Sequence, residues 1–193
     1  MMFRTTLATG IAVSAIGCFL ISANLAGGSA PVITYTAAGT FASTPTSGSD
    51  TLKLAGEPFS VSISVSSATA PYQHGSNWAA FNKLKLTGVV HSGLLGPTPV
   101  NIASSEASII QAIDPGQFDM FTMEAPVKVV GISLTIKAPI TLPSGTIPNQ
   151  LLHPFSSVAL VPTNASMTYA DGASSTTLGI QTGTLAGTVP SGS

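Results

Sequence analysis

A two-residue alternation of apolar and polar side chains constrains this chain more than any other feature. It is clearest at residues 59–65, where serines separate Phe59, Val61, Ile63 and Val65. Successive residues of a β-strand point to opposite faces of a sheet, so this spacing places one face in a dry interior and the other in water. The alternation recurs at residues 33–41, 52–54, 84–90 and 130–137. We predict a half-buried strand at each of these positions.

Turn-forming residues separate the predicted strands. Clusters of Pro, Gly, Asp and Ser occupy residues 45–50, 56–58, 96–99, 114–116, 143–148 and 171–175. Fourteen prolines and nineteen glycines suit many short strands joined by frequent reversals. Near the end of the chain, Leu178 and Ile180 begin another strand. Its buried face switches at Gly183, before Leu185 and Val189, as a β-bulge would cause.

Two segments leave alternatives open. Residues 102–113 fit a strand, which their isoleucines and short length favour, but Ile102, Glu106, Ile109 and Ile113 also fit a helical period. Residues 149–157 fit either a loop or a single helical turn. The remaining chain predicts an all-β fold, and half-buried strands at this spacing are typical of a single antiparallel β-sandwich of about eight to ten strands.

The first thirty residues have the order of charge, apolar residues and small residues that marks a secretory signal peptide. Arg4 precedes an apolar run at residues 7–25, which small residues follow. We predict that residues 1–30 are the signal peptide and that residues 31–193 form one β-sandwich domain. Cleavage is expected after Gly28 or Ala30. The protein is then secreted or held in the cell envelope.

Two other interpretations of this leader remain open. Residues 15–17 before Cys18 resemble a bacterial lipobox, which would make the Cys18 thiol a lipid anchor. The apolar run at residues 7–25 is also near the length of an uncleaved membrane anchor. We expect removal of the leader, and therefore no membrane span in the mature chain.

The composition of residues 31–193 limits the partners of the domain. This part has five lysines, no arginine and seven acidic residues, a formal charge of −2. Nucleic-acid binding needs clustered basic residues, so we expect no nucleic-acid partner. No cysteine follows Cys18, so the domain has no disulfide. Charged residues form 7% of the whole chain, against roughly 25% in an average domain, so hydroxyl and amide groups must supply the polar surface.

The sequence carries none of the common catalytic or cofactor motifs. It lacks G-x-S-x-G, H-E-x-x-H, the phosphate-binding loop and G-x-G-x-x-G. His74, His91 and His153 are far apart and show no metal-ligand spacing, so we expect them in solvent-facing loops or at strand ends. We therefore assign no catalytic residue, no metal and no cofactor, and we expect that the protein is not an enzyme.

Asp114, Asp119 and Glu124 form the densest acidic group. Carboxylates near a turn can bind calcium, but the spacing matches no known calcium loop, and Asp at a turn usually bonds its own backbone. Asp119 and Glu124 also resemble the two acids of a glycosidase. A carboxylate-based hydrolase is accordingly the third functional alternative.

The best candidate ligand site is the segment 68–81, which holds Tyr72, His74, Asn77 and the only tryptophan, Trp78. An aromatic face flanked by amides suits a sugar, because an aromatic ring packs against apolar surface while polar groups bond hydroxyls. The competing interpretation is that Trp78 and Phe81 plug the end of the core.

A stretch at residues 35–65 carries a family resemblance. It contains Y-T-A-A-G-T-F and then S-G-S-D-T-L-K-L-A-G-E-P-F-S, and it resembles the opening of secreted bacterial β-proteins of the exosortase-sorted PEP-CTERM class. Those proteins end in a V-P-E-P motif, a hydrophobic span and a basic tail, whereas this sequence ends in V-P-S-G-S and lacks the sorting tail. The resemblance implies an extracytoplasmic β-sandwich and supplies no functional residues.

These observations together predict a structural or interaction module. Its expected partner is another envelope protein or a polysaccharide. A carbohydrate-binding module that uses Tyr72 and Trp78 is the alternative.

Overall fold

The computed structural model describes residues 30–114, 117–129, 132–148 and 152–189, and all regular elements in these ranges are β-strands. The strands are β1 (Val32–Ser47), β2 (Pro58–Ser66), β3 (Gln73–His74), β4 (Trp78–Ser92), β5 (Gly96–Ile113), β6 (Phe118–Val129), β7 (Ile132–Pro143), β8 (Phe155–Leu160), β9 (Ser166–Asp171) and β10 (Ser174–Thr188). Every pairing between them is antiparallel. The predicted all-β class is confirmed. No helix in the described ranges is long and apolar enough to cross a membrane.

The sheet closes into a barrel, so the predicted sandwich is wrong. Eight strands follow one another in the order β1-β2-β4-β5-β6-β7-β9-β10, and β10 then pairs with β1 to complete the circle. The short β8 pairs with the second half of β10, beyond β9, and β3 pairs only with the start of β4. A sandwich and a barrel bury the same alternate positions of each strand, so the alternation in the sequence does not distinguish them.

The interior of the barrel is filled by side chains from every major strand. The largest of the fully buried side chains are Ile33, Tyr35, Phe41, Ile63, Phe81, Leu86, Ile109, Phe121, Ile140, Leu142, Leu160 and Tyr169. Tyr35 and Phe121 have ring centroids 4.9 Å apart, and Phe41 stacks on Phe59 at 4.5 Å. An eight-stranded barrel is just wide enough for such side chains to occupy it.

The outer face carries hydroxyl groups in place of charges, as the composition predicts. Between β1 and β2, the hydroxyl oxygens of Thr34 and Ser64 are 3.0 Å apart, and those of Thr36 and Ser62 are 2.9 Å apart. Thr168 and Thr177 form a similar pair at 2.9 Å. Cross-strand hydroxyl pairs stabilise a sheet modestly and keep its surface polar without ionised groups.

A pair of glycines lies at the seam between β1 and β10. Gly39 and Gly183 are direct partners across this seam. A methyl group on Gly39 would lie 2.3 Å from the carbonyl oxygen of Thr182, and one on Gly183 would lie 2.5 Å from that of Ala38. The two backbones therefore approach more closely than any residue with a side chain allows.

The barrel has two distinct ends. At the lower end β1 begins at Val32 and β10 ends at Thr188, and at the upper end β1 ends at Ser47 and β10 begins at Ser174. Strands β2, β5 and β7 end at the lower end, where β4, β6 and β8 begin. Strands β1, β4, β6 and β9 end at the upper end, where β2, β5, β7 and β10 begin.

The predicted strand at residues 52–54 is wrong, because this segment is part of the turn that connects β1 with β2. Leu52 and Leu54 are nevertheless buried, at 4% exposure each. Their alternation arises because the turn folds over the upper end and inserts both side chains into the core. Two buried residues with one exposed residue between them are thus not sufficient evidence for a strand.

Asp50 holds this turn in place. Its carboxylate accepts hydrogen bonds from the backbone N–H of Leu54 at 3.0 Å and of Ala55 at 2.8 Å, and from the hydroxyl of Tyr169 at 2.9 Å. Asp at the start of a turn commonly bonds the backbone that follows it. The contact with Tyr169 adds a link to β9 across the upper end.

Most of the other expected segments are confirmed, but the turn predicted at residues 96–99 is wrong, because β5 begins at Gly96. Residues 102–113 lie in β5, so the strand is confirmed and the helical alternative is wrong. The buried face switches as predicted, but at Gln181 and not at Gly183, because the register passes from Thr40↔Thr182 to Phe41↔Ile180 and leaves Gln181 as the extra residue of β10. Leu185 is buried as predicted, whereas Val189 is exposed. Residues 152–154 are irregular and β8 begins at Phe155, while residues 149–151 and 130–131 lie outside the described ranges. The leader at residues 1–29 lies outside them as well.

Candidate functional site

The barrel is split near its upper end between β5 and β6. These strands pair from Ser108↔Glu124 to Ile113↔Asp119, and no pairing joins residues 96–107 of β5 to residues 125–129 of β6, all of which the structure describes. On its other side β5 remains paired with β4 as far as Gly96. Two strand edges therefore face each other without bonding.

Two β-bulges on the β4–β5 pair lie where the split begins. Between Phe81↔Ile109 and Leu84↔Ala107 the extra residue is on β4, and between Leu84↔Ala107 and Leu86↔Ser104 it is on β5. Lys83, inside the first bulge, has a φ of 54°. Bulges bend the strand that contains them, so these two direct the upper part of the β4–β5 pair away from β6.

The split forms a groove of about 590 Å³. Its lining combines mostly small residues with two charged ones: Ala103, Ser104, Ser105 and Glu106 of β5, Pro126, Val127 and Lys128 of β6, Ser133, Leu134 and Thr135 of β7, and Ala170 and Gly172 beyond them. Val127 and Leu134 are buried and form the floor, whereas Glu106 and Lys128 are exposed on opposite walls. None of the described residues that line it is aromatic.

A small apolar cavity of about 40 Å³ lies in the core beneath the groove. Val127 and Leu134 line both spaces, so their side chains separate the cavity from the groove. The polar groups around the cavity are already bonded, since Ser92 Oγ donates to the carbonyl of Leu52 and Tyr169 donates to Asp50. A cavity with this lining excludes water but admits a small apolar group.

The residues predicted to bind a ligand lie on a hairpin at the lower end, away from the groove. Gln73 pairs with Ala80 and His74 with Ala79. Because faces alternate along a strand, this register puts Tyr72 and His74 on one face of the hairpin and Trp78 on the other.

The structure does not bring the four predicted residues to one surface. The carbonyl of Asn77 accepts a hydrogen bond from the N–H of Ile113 at 2.8 Å, so its backbone ties the hairpin to β5. Trp78 is 36% exposed while Phe81 is fully buried. The interpretation of both rings as a core plug thus holds for Phe81 only.

The three acidic residues of the predicted cluster do not meet either. Asp119 points into the barrel and is fully buried, whereas Glu124 lies on the outer face, with its Oε2 atom 3.8 Å from Nζ of Lys137. Asp114 is half-buried in the turn after β5. The geometry therefore gives Asp119 and Glu124 no common cleft for hydrolysis. In the described part of the chain, no three His, Cys, Asp or Glu side chains are grouped to hold a metal.

Three buried polar side chains, those of Tyr35, Gln111 and Asp119, lie in the lower part of the core. Tyr35 donates from its hydroxyl to the carbonyl of His153 at 2.8 Å, and burial raises the pKa of Tyr35 to about 12. Asp119 accepts from the N–H of Ile147 at 2.8 Å through Oδ2. Its Oδ1 and the Oε1 of Gln111 have no hydrogen-bond partner in the described structure. These contacts tie Ile147 and His153, which follow β7, to the core.

Sequence reasoning missed the groove, although one signal was available. Pro97, Pro99 and Pro126 lie within β5 and β6, and proline inside a strand is found at unpaired edges or bulges. These prolines indicate that β5 and β6 are not fully paired in this region. The alternation of residues 102–113 does not carry that information.

Comparisons with protein-family models, curated proteins and solved structures found no match to this chain.

Proposed function

We propose that this protein is an extracytoplasmic interaction module that binds an extended segment of another envelope protein in the groove between β5 and β6. The observation that carries the proposal is the pair of unbonded strand edges that face each other across this groove. A row of free backbone N–H and C=O groups is a template for pairing with a further strand.

The β5 edge is the side that suits strand addition. Residues 100–107 contain no proline, and Asn101, Ala103, Ser105 and Glu106 are exposed. Alternate residues of such an edge present their backbone groups to an incoming strand, while the facing β6 edge has one donor fewer at Pro126. The bound segment would pair with β5 and lay alternate side chains over Val127 and Leu134.

The lining also separates this proposal from carbohydrate binding. Sugar sites rely on an aromatic face, and the groove has none. The exposed Trp78 offers one such face at the lower end, but the register separates it from Tyr72. Polysaccharide binding remains the second candidate, and retention on a panel of insoluble polysaccharides, lost in Trp78→Ala, is the result that would favour it.

The proposed location rests on the sequence. We propose that the leader at residues 1–30 directs export, with the mature domain secreted or retained in the envelope and with lipidation of Cys18 as the alternative route of retention. Membership of the PEP-CTERM class and the absence of enzymatic activity stay predictions.

Selection of short random peptides against the full chain tests the proposal. We expect selected peptides to protect the amides of residues 101–106 from hydrogen exchange. Analogues with N-methyl groups at alternate backbone positions should lose binding, because their backbone cannot pair with the edge. Selected peptides that protect only other surfaces, or that tolerate N-methylation at every position, would contradict strand addition.

A matched pair of variants locates the site. Ser133→Trp places a large ring in the groove from an exposed position of β7, and we expect it to abolish peptide binding. Thr184→Trp makes the same change at an exposed position of β10, outside the groove, and should leave binding unchanged. Equal effects of the two substitutions would place the binding surface elsewhere.

A further inference from the structure

The exposed apolar side chains of the barrel are concentrated at one end. Of the nine large ones in the described residues, six lie at the lower end: Val32, Tyr72, Trp78, Phe118, Met120 and Val189, with exposures between 36% and 50%. All three exposed aromatic rings of the described residues are in this set, which we call the aromatic rim. Scattered exposed apolar residues are ordinary, but the concentration of six of the nine at one end of the barrel marks that end as a site of contact.

Part of the rim is a continuous apolar row on the outer face. Trp78 pairs with Ala112, and Ala112 pairs with Met120 on the next strand. Neighbouring strands are roughly 4.8 Å apart, so the small Ala112 lies between two large side chains whose backbones are about 10 Å apart. Phe118, two residues before Met120 on the same strand, extends this surface to the edge of the barrel.

The same end is almost without charge. The described residues that form it, 30–34, 66–78, 113–114, 117–118, 143–148, 152–155 and 186–189, contain one carboxylate, Asp114, and no lysine or arginine. At the upper end the connections contain Asp50, Lys53 and Glu57 in a single turn. The exposed polar residues at this end, among them Gln73, His74, Asn77 and Gln117, carry neither a carboxylate nor an ammonium group. The boundary of the rim is therefore polar and uncharged.

The path of the chain brings a membrane to this end. Val32, the first residue of β1, lies at the lower end, so the leader joins the barrel here. The apolar run of the leader ends at Leu25, and the chain between Leu25 and Ala30 spans at most about 18 Å. During export, while the leader is still attached, the lower end is the part of the barrel nearest the bilayer.

We propose that the lower end of the barrel rests on the surface of a lipid bilayer, with the aromatic rim at the level of the headgroups. Tyr and Trp favour this depth because each has an apolar ring and a polar group that remains hydrated. An uncharged surface crosses into the headgroup region without the cost of removing ionised groups from water. The groove between β5 and β6 opens toward the upper end and stays accessible, so this proposal does not depend on the proposed function.

Trp78 reports on the contact directly, because it is the only tryptophan of the chain. The full chain is mixed with phosphatidylcholine vesicles that carry spin-labelled lipids at either a shallow or a deep position. We expect a blue shift of the Trp78 emission and stronger quenching by the shallow label than by the deep one. Emission that neither shifts nor is quenched would overturn the proposal.

Two variants separate contact by the rim from simple tethering by the leader. The triple variant Tyr72→Ser, Phe118→Ser and Met120→Ser keeps the leader and Trp78, and we expect it to lose the quenching. Moving the reporter to the upper end, with Trp78→Phe and Leu94→Trp, should give an unquenched tryptophan even if the triple variant folds poorly. Quenching that survives in the triple variant, or that is equal at both ends, would show tethering alone and reject the rim as a contact.

A second copy of the chain is the competing occupant of the rim. Its signature is a blue shift that grows with protein concentration in the absence of vesicles, accompanied by dimers in sedimentation velocity. That result would overturn the membrane assignment. A concentration-independent spectrum without vesicles, together with the shift on their addition, supports it.

Discussion

Neighbouring residues of one strand meet opposite environments, and Trp78 and Phe81 show the consequence. Both aromatic rings come from the start of β4, but Phe81 points into the barrel and is fully buried, whereas Trp78 is 36% exposed on the outer face. The indole covers Gly75, where a methyl group would lie 2.2 Å from the indole nitrogen. The Trp78 ring thus packs on a turn backbone and contributes little to the core.

The stability effects of the two rings should differ accordingly. We expect Phe81→Ala to lower the free energy of unfolding by about 3 to 5 kcal/mol, the usual cost of removing a buried aromatic ring. Trp78→Ala should cost about 1 kcal/mol, since a partly exposed ring gives up less buried area. Urea unfolding curves measure both values. A loss for Trp78→Ala as large as that for Phe81→Ala would restore Trp78 as part of the core.

Tyr35 makes the stability of the barrel sensitive to alkali. Burial raises its pKa from 10.0 to about 12, while the hydrogen bonds to His153 and Gln111 act in the opposite direction. Between these two values the unfolded chain loses the phenol proton and the folded chain keeps it, so the stability present below pH 10 is lost as the pH rises toward 12. A shift of this size corresponds to about 2 to 3 kcal/mol.

Urea unfolding of the wild type and of Tyr35→Phe at a series of pH values from 9 upward measures this effect, because the variant has no phenol at this position. We expect the stability of the wild type to fall more steeply with pH than that of the variant. Parallel curves for the two proteins would show that Tyr35 does not titrate in this way.

At the scale of the strand, bulges decide where alternation changes face. Before Lys83 the residues of β4 in the hydrophobic core are Ala79 and Phe81, at odd positions, and directly after it they are Leu84 and Leu86, at even ones. Lys83 accommodates this change with a φ of 54°, in the left-handed region that a lysine enters at some cost in energy. The bulge that opens the groove is thus built on a residue that is poorly suited to its backbone.

Glycine substitution at two exposed lysines of β4 tests this strain. Lys83→Gly removes a side chain from a left-handed position, and we expect stability to be unchanged or raised by up to about 1 kcal/mol. Lys85→Gly makes the same change where the strand is regularly paired with Ser64 and should lower stability by about 1 kcal/mol. Thermal unfolding of both variants is the measurement, and equal losses would show that Lys83 is not strained.

For the molecule as a whole, the sequence predicts the faces of strands better than their arrangement. Phe59 and Ile63 report their burial through local alternation, which depends only on near neighbours in the chain. Closure depends on pairing between Thr34 and Thr188, and no local pattern indicates contacts between residues so far apart. The groove is similarly hidden, because it consists of pairing that stops at Ser108. Tyr72 and Trp78, predicted to form one site, lie on opposite faces of the hairpin. The hairpin register places them there, and the sequence pattern does not reveal that register.

Closure of the barrel rests on the seam between β1 and β10, and two glycines of β10 allow it to be tested. In Gly183→Ala the new methyl group meets the carbonyl oxygen of Ala38 at 2.5 Å, and since that atom belongs to the backbone the two strands must move apart. In Gly179→Ala the methyl group has ordinary contacts, of which the shortest is 3.6 Å to Pro162.

We expect Gly183→Ala to lower the free energy of unfolding by about 1 to 3 kcal/mol, as overpacking does, and to speed hydrogen exchange at amides of residues 34–40 and 182–188. Gly179→Ala should leave stability and exchange near wild type. Because the seam joins the first strand to the last, its loss would convert the barrel into an open sheet with two new edges, and such edges promote association between molecules. Sedimentation of Gly183→Ala should therefore show a concentration-dependent increase in size. A monomeric variant with unchanged exchange along the seam would mean that closure does not depend on this glycine pair.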